Sequence, residues 1–263
     1  MNTVRWPASV YGFCGNKRTY VQFFIKFVYQ VIGEMVYIKK SVNVFLHKAV
    51  AERYDQYYLS ESGKTIDRYE KELFRQRLEN IPRVPMLELG CGTGHWTRFF
   101  ADCGFQVTAV DNSEPMMAIA KKKNIRNTSF MQADVRQLPF AGHSFHVVTA
   151  VTLLEFVSET EKVMEEIDRV LVPGGWLLLG CLNALSELGE KKDADEVFRY
   201  ARFFSPEDLK KLLNRFGDPL IEGCVHFSEN FELLDHTPAQ DAVHPAFLVA
   251  TVKKTTKLKD DEH

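Results

Sequence analysis

Three glycines, Gly90, Gly92 and Gly94, alternate with other residues in the first half of the chain, and Glu88 stands two places before them. An apolar run ends at the first glycine, and apolar residues at helical spacing follow the last one. This pattern is typical of a buried strand, a tight loop and the start of a helix. Glycines let backbone N–H groups approach a ligand closely, and a helix start adds partial positive charge. These residues therefore predict a ligand-binding loop.

The spacing of the glycines separates this loop from the dinucleotide-binding fingerprint. That fingerprint needs its third glycine one place after Gly94, where this chain has His95. The glycine spacing therefore argues against a nicotinamide-dependent oxidoreductase, which is kept as an alternative hypothesis.

The next predicted strand (residues 105–111) ends in a carboxylate, Asp111, which lies 21 residues after Gly90. In doubly wound folds a carboxylate at this place accepts hydrogen bonds from ribose hydroxyls. Its two oxygens can accept from both hydroxyls of a ribose diol. Asp111 is therefore a candidate ribose-binding residue.

Residues 88–94, read as Glu-Leu-Gly-Cys-Gly-Thr-Gly, resemble the first motif of the class I methyltransferases that use S-adenosylmethionine (SAM). The later segments resemble the small-molecule branch of that family, methyltransferase type 11, which is related to quinone-biosynthesis enzymes. The resemblance is specific over residues 84–183 and weaker over residues 51–254. It implies an enzyme that transfers a methyl group from SAM to a small molecule. A SAM-binding interaction module without catalysis is the alternative outside the enzyme class.

The resemblance also implies roles for residues beyond the loop. Asp134 would accept from the adenine amino group, the backbone of Val135 would meet a ring nitrogen, and Met116 would lie against the adenine. Tyr54 would contact the methionine part of SAM from a lid, or it is an ordinary packing aromatic. The predicted cofactor-binding residues are Tyr54, Glu88, Gly90, Cys91, Gly92, Gly94, Asp111, Asn112, Met116, Ala133, Asp134, Val135 and Val151.

No catalytic base is assigned from the sequence. An acceptor that loses a proton needs a base, and His95, His143, His146 and Tyr54 are candidates by residue type. His95 is expected to serve the loop through its backbone, and His146 is expected at a strand edge. No metal is needed for the transfer, and no cluster of metal ligands is visible in the sequence.

Composition excludes several other classes of protein. The 263-residue chain has a net charge of -2, which gives no general attraction to nucleic acid. No Asn-Pro-Pro-Tyr-like tetrapeptide follows the predicted strand at residues 145–152, and its absence argues against methylation of nucleic-acid bases. The five scattered cysteines form no C-x-x-C pair, so we do not expect a disulfide framework. We expect a reducing compartment and a cytoplasmic location.

The alternation of strands and helices predicts an α/β doubly wound, Rossmann-like sheet. The resemblance implies seven mostly parallel strands, with the last strand antiparallel, and an N-terminal helical lid. We expect a helical extension over residues 1–50, the methyltransferase domain over residues 51–254 and a charged tail over residues 255–263.

Three details of this organisation are specific predictions. The apolar residues 20–33 recur at helical spacing, but Lys26 interrupts them and the run is too short to span a membrane. They would form a helix packed on the domain, a helix with weak membrane-surface contact, or part of an upstream extension before a true start at Met35. A capping box at Ser158 and Glu161 would start one helix. Late strands are expected over residues 219–227 and 246–252.

Overall fold

The computed structural model describes residues 44–194, 198–234 and 243–256. The predicted apolar helix at residues 20–33 lies outside them. Within the described ranges no helix is long and apolar enough to cross a membrane.

A seven-stranded sheet with the order β3-β2-β1-β4-β5-β9-β6 forms the centre of the molecule. The last strand along the chain, β9, is antiparallel to both of its neighbours, so the predicted fold class is confirmed. The strands of this sheet are β1 (Pro85–Leu89), β2 (Gln106–Asp111), β3 (Thr128–Gln132), β4 (Phe145–Val151), β5 (Leu171–Leu182), β6 (Leu220–Cys224) and β9 (Phe247–Lys253).

The register of the parallel strands brings their carboxyl ends to one edge. Leu89 at the end of β1 pairs with Val110 of β2 and with Ala150 of β4. The loops that follow these three strands therefore meet at the same edge, where ligands of doubly wound sheets bind.

Helices cover both faces of the sheet because its central strands are apolar on both sides. Val147 and Val148, neighbours in β4, are fully buried in two different apolar clusters. This two-sided burial is typical of parallel strands. The helices are α1 (Lys48–Tyr54), α2 (Glu61–Leu78), α3 (His95–Asp102), α4 (Glu114–Lys122), α5 (Thr160–Val170), α6 (Glu187–Glu190) and α7 (Pro206–Leu213).

Some helix starts follow the sequence signals and one does not. The Ser113 side chain accepts from the N–H of Met116 and caps α4, and a capping box starts α7. The predicted box at Ser158 is wrong, because α5 begins at Thr160 after Glu159, whose side chain makes no capping hydrogen bond. The predicted boundary after residue 50 falls inside α1.

The late strand predicted over residues 219–227 is divided in the structure. Val225 has a φ of 63°, so the chain turns between β6 and a short hairpin. The hairpin consists of β7 (His226–Phe227) and β8 (Leu233–Leu234).

Candidate active site

The glycine loop (residues 90–94) lies directly after β1. The backbone N–H groups of Gly90 and Cys91 donate to the carbonyl of Val110 at 2.8 and 3.0 Å. Gly90, Gly92 and Gly94 have φ values of 70°, 52° and 81°, which explains why glycine stands at all three positions. A Cβ on Gly92 would have no protein atom within 4 Å, so the middle of the loop borders open space.

Asp111 is fixed beside this loop. One carboxylate oxygen accepts from the backbone N–H of Gly92 at 2.8 Å, and the other accepts from that of Ser113 at 2.8 Å. Burial raises the pKa of the Asp111 carboxyl, and the backbone hydrogen bonds offset part of that rise. The carboxylate is thus held at the end of β2, facing the space above the loop, with lone pairs left to accept from a ligand.

The residues predicted around the adenine occupy three different environments. Asp134 forms an ion pair with Arg136 at 2.7 Å, and this hydrogen bond lowers the pKa of the Asp134 carboxyl. Val135 is buried. Met116 is buried under α1, in contact with the small apolar cluster that contains Val50. The apolar contacts of Met116 are therefore with α1 rather than with the open space beside Gly92.

Two flanking positions contribute through their backbones. The N–H of Ala133 donates to the carbonyl of Asp111 at 3.1 Å, which ties the loop after β3 to the end of β2. Asn112 is exposed, and its carbonyl accepts from the Gln132 side chain at 3.1 Å.

Glu88 and Cys91 are buried on the core side of the loop. The Glu88 carboxylate accepts from the Thr97 hydroxyl at 2.6 Å, and burial raises the pKa of Glu88 to about 8. The Cys91 thiol lies 3.6 Å from the sulfur of Met117, so the side chain of this loop residue packs in the core and its backbone is the part available to a ligand. Val151, at the end of β4, is also buried.

A segment of residues 44–59, here called the lid, covers the loop with aromatic rings. Phe45 meets Phe156, which follows β4, with ring centroids 5.0 Å apart. Phe45 also meets Tyr54 at 6.1 Å, and Tyr54 meets Tyr58 at 6.1 Å. The predicted lid tyrosine, Tyr54, is therefore part of the roof, and burial raises its pKa to about 12.

Two polar contacts hold the lid to the glycine loop and to α4. The Thr93 hydroxyl donates to Asp55 at 2.6 Å, and the ammonium of Lys123 lies 2.6 Å from the same carboxylate. The Tyr58 ring stacks on the His95 ring with centroids 3.5 Å apart. The lid is thus joined to the start of α3 as well as to the loop.

The His95 side chain has contacts of its own, beside the backbone role that the sequence predicts for this residue. Its Nε2 lies 2.6 Å from Asp67 and 2.8 Å from Lys71, both on α2. Burial lowers the pKa of His95, as does the nearby Lys71 ammonium, while Asp67 opposes the shift. His95 therefore links α2, α3 and the lid.

The other two histidine candidates lie away from the site. His143 and His146 lie at the start of β4. The glycine loop lies at the opposite edge of the sheet, where the parallel strands β1 and β4 end. His146 is exposed at the strand's start, as expected for a strand-edge residue. Neither histidine can act as a base above the glycine loop.

Several site residues were missed because their partners are distant in sequence. Glu155 is buried, and its carboxylate accepts from the N–H of Leu182 at 2.7 Å, which joins the ends of β4 and β5. Asp67 and Lys71 form an i,i+4 pair on α2 at 2.8 Å. That spacing was a visible signal for a surface ion pair, but it gave no indication of the contact with His95.

Comparisons with known proteins agree with this geometry. Residues 87–179 match the family described as methyltransferase domain. An uncharacterised methyltransferase of Bacillus subtilis is 30% identical over 164 residues, which cover 60% of this chain and 69% of that protein. An uncharacterised protein of Methanocaldococcus jannaschii is 28% identical over 213 residues, or 80% of this chain and 97% of that protein.

A solved structure extends the similarity to three dimensions. The crystal structure of a SAM-dependent methyltransferase from Thermotoga maritima, described as a possible histamine N-methyltransferase, aligns with a TM-score of 0.62. The two chains are 26% identical, and the alignment covers 80% of this chain and 99% of the other.

Proposed function

The chain belongs to the class I SAM-dependent methyltransferases, and we propose that the space between the glycine loop and the lid holds SAM while a small organic molecule accepts the methyl group. The observation that carries this placement is the Asp111 carboxylate, held by the N–H of Gly92 at the edge of open space. A fixed carboxylate beside a glycine loop suits a ribose diol.

Each part of the cofactor has a candidate partner among the described residues. Asp111 would bind the ribose. The Asp134 side chain is 41% exposed, so its carboxylate can accept from an adenine amino group while keeping its ion pair with Arg136. The Val135 N–H would meet a ring nitrogen, and Tyr54 would cover the methionine part. Glu88 and Cys91 would act from beneath the loop. Glu88 would join β1 to α3 through its hydrogen bond with Thr97, and Cys91 would act through its backbone.

The residues of this chain would promote transfer mainly by positioning. When bound, SAM supplies a methyl group on a sulfonium, which is a reactive leaving group. The aromatic contacts of Phe45 with Phe156 and with Tyr54 would exclude water from the site. The acceptor would be held in line with the methyl group, with the reacting atoms about 3–3.5 Å apart.

The acceptor would enter beyond the carboxyl ends of β5 and β6, the part of the edge that the predicted cofactor residues leave open. Helix α2 and the end of β6 lie on this side. A methyl acceptor held between such elements is a small molecule, and no nucleic acid is needed to explain any feature of the site.

Calorimetric titration with SAM, with its demethylated product S-adenosylhomocysteine and with NADH tests this proposal. We expect both sulfur ligands to bind and NADH not to bind. Transfer of a labelled methyl group from SAM into a metabolite extract tests turnover at the same time. Binding of NADH without binding of SAM would refute the cofactor site, and SAM binding without transfer would support an interaction module.

A further inference from the structure

Helix α2 carries a carboxylate in the middle of its apolar stripe. Positions 63, 66, 70, 74 and 78 recur every three or four residues and form one face of the helix. Ile66, Phe74 and Leu78 on this face are at most 1% exposed, whereas Glu70 stands among them and is partly buried. A carboxylate at such a position is costly unless it meets a partner.

Packing of the next residue on the stripe locates Glu70 in the fold. The Phe74 ring meets the Phe247 ring at 6.4 Å, and a Cβ on Gly180 would lie 3.0 Å from Phe74. Both partners lie near the edge of the sheet where β5 ends and β9 begins. Glu70 is one helical turn, about 6 Å, nearer to the start of α2, which adjoins the lid.

The electrostatic neighbours of Glu70 agree with this location. Burial is the main cause that raises the pKa values of Tyr54, Tyr58 and Cys224, and the Glu70 charge raises each of them further. Cys224 is the last residue of β6. The contacts of α2 agree with this location, because Tyr58 of the lid stacks on His95, whose Nε2 contacts Asp67 and Lys71. Helix α2 also packs against β6 and β9, so Glu70 lies on the side where the acceptor would enter.

The charges around Glu70 leave it without a counter-ion. Lys71 pairs with Asp67 at 2.8 Å and contacts His95 at 2.8 Å, so its ammonium is already engaged. Burial lowers the pKa of His95, which favours the neutral form of its ring. In the part of the chain that the structure describes, no residue hydrogen-bonds to or forms an ion pair with the Glu70 carboxylate. Asp67 balances the charge of Lys71, so Glu70 gains no ion pair from that lysine.

We propose that Glu70, with the rings of Tyr54 and Tyr58, binds the acceptor, and that the acceptor is a small organic amine. This inference rests on the proposed function. A carboxylate accepts charge-assisted hydrogen bonds from an ammonium, and aromatic rings attract cations. An anionic acceptor would instead find the nearby Lys71 ammonium already engaged by Asp67. The same carboxylate that binds the ammonium would remove its proton.

The transfer then balances in atoms and electrons. Glu70 accepts one proton from the ammonium, which leaves a neutral nitrogen with a lone pair. That lone pair forms the N–C bond to the methyl group while the C–S bond breaks and its electron pair stays on sulfur. The products are the methylated ammonium and S-adenosylhomocysteine, and Glu70 returns its proton to water. Burial raises the pKa of Glu70 to about 8, which makes this proton transfer less uphill from an alkylammonium of pKa about 10.

The test uses full-length protein saturated with S-adenosylhomocysteine. Benzylamine, phenethylamine and histamine are titrated at pH 7.5, each against the alcohol in which a hydroxyl replaces the amino group. We expect at least one amine to bind the wild-type protein 10-fold or more tightly than its alcohol. Glu70→Gln should lose about 10- to 150-fold in affinity for that amine, the range of a charged hydrogen bond.

The controls separate this proposal from loss of the fold and from loss of the cofactor site. Glu72→Gln removes an exposed carboxylate from the same helix and should leave amine affinity within about two-fold. Glu70→Gln should keep its affinity for S-adenosylhomocysteine. The proposal is overturned if no amine binds better than its alcohol, or if Glu70→Gln binds the amine like wild type. The first comparison uses wild-type protein alone and stands even if the variant unfolds. Failure of S-adenosylhomocysteine to bind wild type would overturn the proposed function instead.

Discussion

The carboxylate of Asp111 accepts the backbone N–H of Gly92 at 2.8 Å, so the end of β2 and the middle of the glycine loop are fixed to each other. Backbone hydrogen bonds from Gly90 and Cys91 to Val110 already join the start of the loop to β2, and the Asp111 carboxylate extends this link to the middle of the loop. Asp111 therefore has two roles: it stabilises the conformation of the loop, and it is proposed to bind the ribose. The first role can be measured as stability and the second as cofactor affinity.

Asp111→Ala should reduce SAM affinity by about 10- to 150-fold, because a hydrogen bond to a charged group is worth roughly 1.5–3 kcal/mol. The N–H groups of Gly92 and Ser113 also lose their acceptor, so the free energy of unfolding should fall by about 1–2 kcal/mol. Calorimetric titration and urea unfolding give the two quantities. Asp102→Ala, at the exposed end of α3, is the matched control and should change neither. Equal SAM affinity in Asp111→Ala and wild type would disprove the ribose role.

Gly92→Val should abolish SAM binding, because the side chain would project into the open space that the cofactor is proposed to fill. Valine at a φ of 52° also costs backbone strain of about 1–3 kcal/mol. Gly174→Val separates the two effects. Gly174 has a φ of 76° and equally open surroundings, but it lies at the beginning of β5, away from the loop.

The Gly174 variant should therefore lose stability while keeping its SAM affinity. Thermal unfolding and calorimetric titration of both variants decide the matter. If both lose SAM affinity to the same extent, strain alone explains the effect and the placement of the cofactor at Gly92 is unsupported.

Asp55→Ala should speed release of S-adenosylhomocysteine about 2- to 10-fold, because the lid loses its contacts with Thr93 and Lys123. The Asp55 side chain is 39% exposed, so the ion pair is discounted for solvent screening to at most about 1 kcal/mol. Stopped-flow dissociation measures the rate. Glu52→Ala, also on α1 but paired only with the exposed Lys48, is the control. An unchanged rate in Asp55→Ala would show that the lid is held by its aromatic contacts.

The sequence predicted the glycine loop and the sheet because their signals are local. Apolar runs and glycines identify a strand and a loop without knowledge of the rest of the chain. The sheet topology was implied by the resemblance to a known family. The start of α5 shows the limit of local signals. Ser158 and Glu161 have the right types and spacing, yet the helix begins after Glu159. A capping box also needs suitable backbone dihedrals, which residue types alone do not set.

The polar network around His95 could not be predicted, because it joins residues that are distant in the chain. Tyr58 and His95 stack across 37 positions of sequence. Helical periodicity places Glu70 on the apolar face of α2, but it does not say what that face meets. The packing of Phe74 on Phe247 is what places this position near the part of the sheet edge where we propose that the acceptor binds.

Glu88 leads to a prediction about pH. Burial raises its pKa to about 8 in the folded protein, against about 4.3 in an unfolded chain. Below the unfolded value the carboxyl is protonated in both states and costs nothing. As pH rises from about 4.3 to 8, the Glu88 carboxyl ionises in the unfolded chain but stays mostly protonated in the folded protein. The free energy of unfolding therefore falls over this range.

Glu88→Gln removes this dependence, since an amide cannot ionise and can still accept from the Thr97 hydroxyl. With about 1.4 kcal/mol per pKa unit, the loss of stability between pH 5 and pH 8 should shrink by roughly 2–4 kcal/mol in the variant. Urea unfolding of both proteins at the two pH values, without cofactor, measures this difference. Glu165→Gln, an exposed carboxyl on α5, should leave the wild-type slope unchanged. A slope in Glu88→Gln equal to that of wild type would mean that Glu88 is ionised in the fold at pH 5, stabilised by a partner other than Thr97.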